Sequence, residues 1–151
     1  KEYVRSRYGD NDAKRYGIIA SSKFRTLADF GVQPARHNFW YYGQWYESPP
    51  RESRSCCRLD LAVSEFGCQG LELDMPIVCW GPDLRWEVNR WAVHVGKPRK
   101  VRDPVRLRIN AYRVLLTRGR DGFVIFVPRD TDSAFDASHD ALLGAGALPL
   151  G

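Results

Sequence analysis

The 151 residues carry 23 Lys and Arg against 18 Asp and Glu, a formal net charge of +5, with 44% hydrophobic and 27% charged residues. That length suits one domain with a proper core, and the composition is that of a water-facing globular chain. Apolar runs of only a few residues, the longest near Phe123–Val127, exclude a membrane-spanning helix, and no signal peptide is visible. The chain starts at Lys1 rather than Met, as expected of a fragment of something larger.

Residues 1–15 are polar and charged and read as a linker or helix end. Tyr16–Ala20 is a short apolar run with the look of a buried strand, and Ser21-Ser22 then caps a helix near Lys23–Phe30 that Gly31 ends. Residues 37–58 are aromatic and irregular: Phe39, Trp40, Tyr41, Tyr42, Trp45 and Tyr46 precede Pro49-Pro50. They are either stacking platforms for bases or packing groups. Leu59–Val63 alternates like a strand, and Ile77–Trp80 is a second, apolar one. Between them runs a polar loop, Ser64–Asp74, with Gly67 and Gly70 around Gln69.

Alternation over Trp86–Val95 predicts a β-hairpin insertion near 84–96, followed by the basic loop Lys97–Arg102. That loop, with Arg106 and Arg108, is either a phosphate-contacting patch or a solvated basic segment. From Arg106 to Arg118 the residues Leu107, Ala111, Val114 and Leu115 form a helical apolar stripe. Phe123–Val127 reads as a buried strand ended by Pro128. Asp132 or Ser133 caps a last helix through Leu143, with Gly144 just beyond, and 144–151 is a tail. Strands alternating with helices argue an α/β domain with a mostly parallel sheet over 16–143.

The basic side is 18 Arg against 5 Lys. Arginine's planar fork suits bidentate contact with phosphate, which favours nucleotides or nucleic acid; a genome rich in arginine codons gives the same excess. Cys56, Cys57, Cys68 and Cys79 form no C-x-x-C pair and read as reduced thiols of a cytoplasmic protein. His37, His94 and His139 lack ligand spacing, so no metal site is expected. No G-x-x-x-x-G-K-[ST] occurs; Val95-Gly-Lys-Pro has the Gly-Lys pair without the hydroxyl.

Two passages carry the functional reading. Asn110-Ala-Tyr-Arg-Val-Leu-Leu-Thr-Arg-Gly-Arg120 ends a helix in cations, which a helix C-terminus favours on electrostatic grounds alone. Its Leu116-Thr-Arg-Gly-Arg120 also resembles motif VI of superfamily 1 helicases, with Gly119 where alanine is more usual. Gln69-Gly-Leu-Glu-Leu-Asp74 resembles motif V, without the usual Thr-x-His opening; Tyr16–Arg25 takes the place of motif IV. The longer segment from Ser64 through Ile77-Val-Cys-Trp-Gly-x-Asp-Leu-x-Trp86, with Arg15–Lys23 upstream, is similar to the Schlafen-group-3-like DNA/RNA helicase family over about 16–143.

The resemblance implies a RecA-like three-layer domain, the C-terminal half of an ATP-dependent motor. It implies that Arg118 is the arginine finger reaching the γ-phosphate, with Gln69, Gly70, Glu72, Arg113, Thr117 and Arg120 at the nucleotide. Ser21, Lys23, Arg25 and Ser64 fall on the nucleic-acid track, with Lys97, Arg99, Lys100 and Arg102 beside them. ATP and Mg²⁺ are then cofactors of the full-length parent, completed by an N-terminal P-loop domain in the same chain or another subunit, and DNA or RNA is the partner. This chain alone is expected to be inactive. The alternative is a non-catalytic RecA-like module that binds nucleic acid or protein.

Overall fold

Ile18–Ala20 (β1) and Ile77–Cys79 (β4) are buried at every position, as strands covered on both faces must be. In the computed structural model, which describes residues 1–9, 11–35, 39–94, 101–129 and 135–150 (39 and 40 by backbone alone), these two form the centre of a parallel sheet. The other strands are Gln33–Pro34 (β2), Leu61–Ser64 (β3) and Val124–Phe126 (β7), in the order β2-β3-β1-β4-β7. All four pairings are parallel, with Ile19 opposite both Val63 and Val78. Leu84–Glu87 (β5) and Arg90–Val93 (β6) pair antiparallel as a separate hairpin, at the place the alternation predicts. Helices flank the sheet: Glu2–Tyr8 (α1), Phe39–Glu47 (α2), Pro104–Leu116 (α3) and Asp136–Gly144 (α4). This is the α/β layout that the strand and helix alternation implies. Among the described residues no helix is long and apolar enough to cross a membrane.

Several local expectations are corrected. The aromatic run is helical: α2 places Trp45 in the core, 1% exposed. Gly17, just before β1, makes room for it, since a Cβ there would lie 2.7 Å from Trp45 Cζ2. Residues 23–30 hold only a 3₁₀ turn at Leu27–Phe30, although Ser21 Oγ accepts the Lys23 N–H at 3.1 Å as a cap would; Gly31 does end the turn, at φ 70°. β7 is not buried but lies at the sheet edge, with Phe123 and Phe126 exposed. An apolar run alone does not distinguish an edge strand from a central one. α4 begins at Asp136 without a side-chain cap and contains Gly144 rather than stopping before it; Asp132 and Ser133 lie outside the described residues.

The buried stripe of α3 is rotated from the expected one. Leu107 is 53% exposed, while Arg108, Tyr112 and Leu115 are buried, three positions spaced i, i+4 and i+7. The helix also starts two residues early, where Pro104 takes a first-turn position and Asp103 accepts the Arg106 N–H at 2.9 Å.

Candidate functional site

Parallel pairing gives the sheet two chemically distinct edges. Ser21, Glu65 and the segment Trp80–Asp83 follow β1, β3 and β4 and therefore share the carboxyl edge. Arg15–Gly17 and Met75-Pro76 precede β1 and β4 and share the amino edge. Since β3 and β4 run the same way, the loop 65–76 must return from one edge to the other. The segment containing α3 does the same between the hairpin and β7.

Both returning segments end at the amino edge side by side. Leu73 pairs with Gly119 in a short parallel bridge: Leu73 N–H donates to Arg118 O at 2.8 Å, and Arg120 N–H to Leu73 O at 2.8 Å. Glu72 is thus carried next to Thr117, Arg118 and Arg120, with Gln69 and Gly70 earlier on the same loop. Glu72 Oε2 accepts from Arg120 Nε at 3.0 Å, and this exposed pair raises the arginine's pKa further. Gly119 is required in this arrangement. A Cβ there would fall on the Gly122 carbonyl and 3.0 Å from Pro76 Cδ, so the alanine more usual in motif VI does not fit the turn.

The half-exposed Arg118 donates from Nε to Val114 O at 3.0 Å, from Nη1 to Leu71 O at 3.3 Å and from Nη2 to Thr117 Oγ1 at 3.3 Å. Thr117 Oγ1 donates to Arg113 O at 2.8 Å. These bonds satisfy carbonyls that a helix C-terminus leaves open. A guanidinium has five N–H donors, and these three contacts leave two on the terminal nitrogens for an incoming anion. Arg113 itself points along the exposed side of α3, with Nη1 3.4 Å from Asn110 Oδ1.

Beside this junction a second polar group ties the same edge together. Asp74 accepts from Lys14 Nζ at 2.9 Å and from the Arg15 N–H at 2.7 Å; Asp121 accepts from Lys14 Nζ at 3.1 Å and Tyr8 OH at 2.8 Å. The Tyr8 hydroxyl, then Lys14, hold the Asp121 carboxyl below the usual range. Bonding to Asp74 and Asp121 raises the Lys14 ammonium. Tyr46 OH donates to Glu72 O at 2.8 Å, which anchors α2 to the same loop.

The carboxyl edge holds a buried ionic network. Ser21 Oγ donates to Asp83 Oδ2 at 2.7 Å, and Glu65 accepts from both the N–H and the hydroxyl of Ser22, at 2.7 and 2.8 Å. Arg108 reaches across from α3, with Nη1 3.0 Å from Ser21 Oγ and 3.3 Å from Glu65 Oε1. Its Nε lies 3.1 Å from Asp83 Oδ2, an ion pair whose alignment does not make a hydrogen bond. Tyr112 OH donates to Asp83 Oδ1 at 3.0 Å and accepts the Gly81 N–H at 2.9 Å; burial, then the neighbouring Asp83, push this phenol well up.

Arg108 therefore does not belong to a basic surface patch with Arg106: it is 6% exposed and paired with two carboxylates. Ser21 is likewise committed to the network, and Ser64 Oγ is buried without a hydrogen-bond partner. Lys23 and Arg25 remain exposed on the loop after β1, and Arg102 is exposed just before α3, all on the carboxyl-edge side. Lys97, Arg99 and Lys100 lie outside the described residues. The sequence-predicted residues thus divide: Glu72, Thr117, Arg118 and Arg120 converge at the amino edge, with Gln69 and Gly70 exposed earlier on the same loop, away from Ser21, Lys23, Arg25 and Ser64.

Glu65, Asp83 and Tyr112 are absent from the sequence-derived candidates. Two signals point to them: acidic residues directly after apolar strands, where α/β domains gather polar groups, and the Arg108-Tyr112-Leu115 spacing. The four cysteines are free, and Cys56 Sγ lies 3.9 Å from Cys57 Sγ. A hydrogen bond from Cys56 pulls the Cys57 thiol down to about 6, while Cys56 keeps its proton.

Comparison with curated proteins and with solved structures finds no match. A family profile described as the Schlafen group 3, DNA/RNA helicase domain matches residues 1–129. That match spans the whole sheet, both edges and the bridge that joins the two motif-bearing segments, and on it the chain belongs to the Schlafen group 3 DNA/RNA helicase-domain family.

Proposed function

We propose that this chain is the C-terminal, RecA-like half of an ATP-dependent motor acting on DNA or RNA. Its amino edge faces an ATP site built on a P-loop domain, and its carboxyl edge faces the nucleic acid. The observation that carries this reading is the Leu73–Gly119 bridge, which sets the Gln69–Glu72 turn against the Thr117–Arg120 turn. Motif V and motif VI residues could serve one nucleotide only if they met in this way.

The residues fit the phosphate side of such a site. Arg118 presents free N–H donors at a fixed point on a rigid helix end, and Thr117 borders it, with Gln69 and Gly70 on the facing loop. They do not fit the metal side, because Glu72 is engaged by Arg120 and the Asp74 and Asp121 carboxylates are engaged by Lys14; Mg²⁺ would belong to the P-loop domain. Bound there, ATP with Mg²⁺ supplies the transferable phosphoryl group and its charge. The work of Arg118 is to stabilise that charge as it shifts towards the leaving oxygen, which lowers the barrier more than it strengthens ground-state binding. Arg120–Glu72 braces the turn that aims it. Loss of the phosphate contact after hydrolysis lets the cleft open, the usual basis for coupling hydrolysis to domain motion.

The test uses this chain together with its P-loop domain. Arg118→Ala is expected to leave ATP binding nearly unchanged and to slow hydrolysis by about 10³-fold or more, the range of arginine fingers. Arg118→Lys restores only part of it, since an ammonium lacks the fork. A wild-type rate in Arg118→Ala would make the residue a helix cap, consistent with its bonds to Val114 and Leu71, and would favour a non-catalytic module.

A further inference from the structure

A groove of about 670 Å³ opens between the β5–β6 hairpin and the first turns of α3, bordered by Trp86, Trp91, Arg90, Val93, Val105 and Ile109. Trp86 and Trp91 line it, and they continue outward a run of rings that begins at Trp80 in the core. Trp80 is buried, Trp91 packs on it at 5.0 Å between ring centroids, and Trp86 meets Trp91 edge-on at 5.1 Å. Trp86, directly opposite Trp91 in the ladder, is the outer ring and is only partly buried.

The surroundings are cationic. Arg90 lines the groove, and Arg102 and Arg106 flank the lining residue Val105 in sequence; all three are exposed, and none has an ion pair among the described residues. The nearby acids are occupied: Glu87 bonds His94 Nε2 at 2.6 Å, and Asp103 caps α3. The hairpin tip adds a separate observation. Val88 and Asn89 turn the chain with φ of 46° and 61°, and Val88 is 92% exposed. A two-residue turn of this kind favours Asn-Gly; a β-branched residue in its first position is strained, and strain of that sort concentrates at functional surfaces. An apolar side chain held out in water at a strained tip gains nothing for folding.

We propose that this groove binds single-stranded nucleic acid, with bases stacked on Trp86 and backbone phosphates on Arg90, Arg102 and Arg106. The inference rests on the reading of the chain as part of a motor on DNA or RNA and gives that reading a second contact region besides Lys23 and Arg25. An aromatic platform beside unpaired arginines is the arrangement that binds single strands without reading sequence. A duplex keeps its bases stacked inside and offers no face to the ring.

The test titrates the intrinsic tryptophan fluorescence of the full chain with a thymidine homopolymer of about twelve nucleotides, and with the matching duplex. Quenching by the single strand, weaker with the duplex, is expected. Trp86→Ala should weaken binding roughly 5- to 150-fold, the worth of one stacked base. Because Trp86 is the outer ring, Trp80 and Trp91 keep their packing; circular dichroism checks this. Replacing Arg90, Arg102 and Arg106 together by Glu, all exposed positions, should reduce the salt slope by about two, at roughly 0.7 per phosphate contact on a single strand. Undiminished binding in both variants would exclude the groove while leaving nucleic-acid binding elsewhere on the chain intact. No binding of either nucleic acid by the wild type would remove both readings. Self-association that Trp86→Ala abolishes, without quenching by the oligonucleotide, would overturn the proposal in favour of a protein interface.

Discussion

Arg108→Ala tests the buried network at the carboxyl edge most directly. The arginine side chain is 8% exposed, and its partners Glu65 and Asp83 are 5% and 2% exposed. Truncation leaves two carboxylates facing each other in the interior with only Ser21, Ser22 and Tyr112 as donors. Breaking a buried pair by removing one partner costs about 3–5 kcal/mol, since the remaining charge keeps its desolvation penalty. For a domain of this size each kcal/mol shifts the melting temperature by about 2–4 °C, so a fall of about 6–20 °C is expected in thermal unfolding followed by far-ultraviolet circular dichroism. Arg106→Ala, on the exposed side of the same helix, should stay within about 0.5 kcal/mol of wild type. Neutralising the whole group, with Arg108→Met, Glu65→Gln and Asp83→Asn together, should recover a large part of the loss, because no charge is then stranded. A melting temperature for Arg108→Ala within about 2 °C of wild type would refute the reasoning and mean that water reaches the network freely.

Gly119→Ala should destabilise the chain by about 1–3 kcal/mol, because the added carbon overlaps the Gly122 carbonyl and the turn 119–122 must open; urea unfolding measures it, and a neutral result would mean that the turn relaxes without cost. The Cys57 thiolate, with its pKa drawn to about 6 against an ordinary 9.0, should appear in the thiolate ultraviolet band near neutral pH. Cys56→Ala removes the donor and should move that titration upward. An unshifted titration in Cys56→Ala would show that the neighbouring thiol is not the cause.

Much of this protein is legible in its residues. Ile18-Ile-Ala20 and Ile77-Val-Cys79 are apolar at every position, as strands covered on both faces are, and the alternation after Leu84 fits the hairpin that forms there. The motif-like passages single out Glu72 and Arg120, which the fold then pairs at one edge of the sheet. Tertiary structure alone decided which apolar residues face inward. Leu107 lies outside and Arg108 inside because Asp83 and Glu65, distant in sequence, stand ready to neutralise the guanidinium, and hydrophobicity along one helix contains no record of partners in loops after two other strands. The same holds for Phe123 and Phe126, exposed because β7 has β4 on one side and, among the described residues, no strand on the other. It holds for Gly119 too, which looks like a loosened helix end until the Gly122 carbonyl is found where its Cβ would be. Local sequence sets what each segment can form; strand order and long-range ion pairing set which side of it meets water.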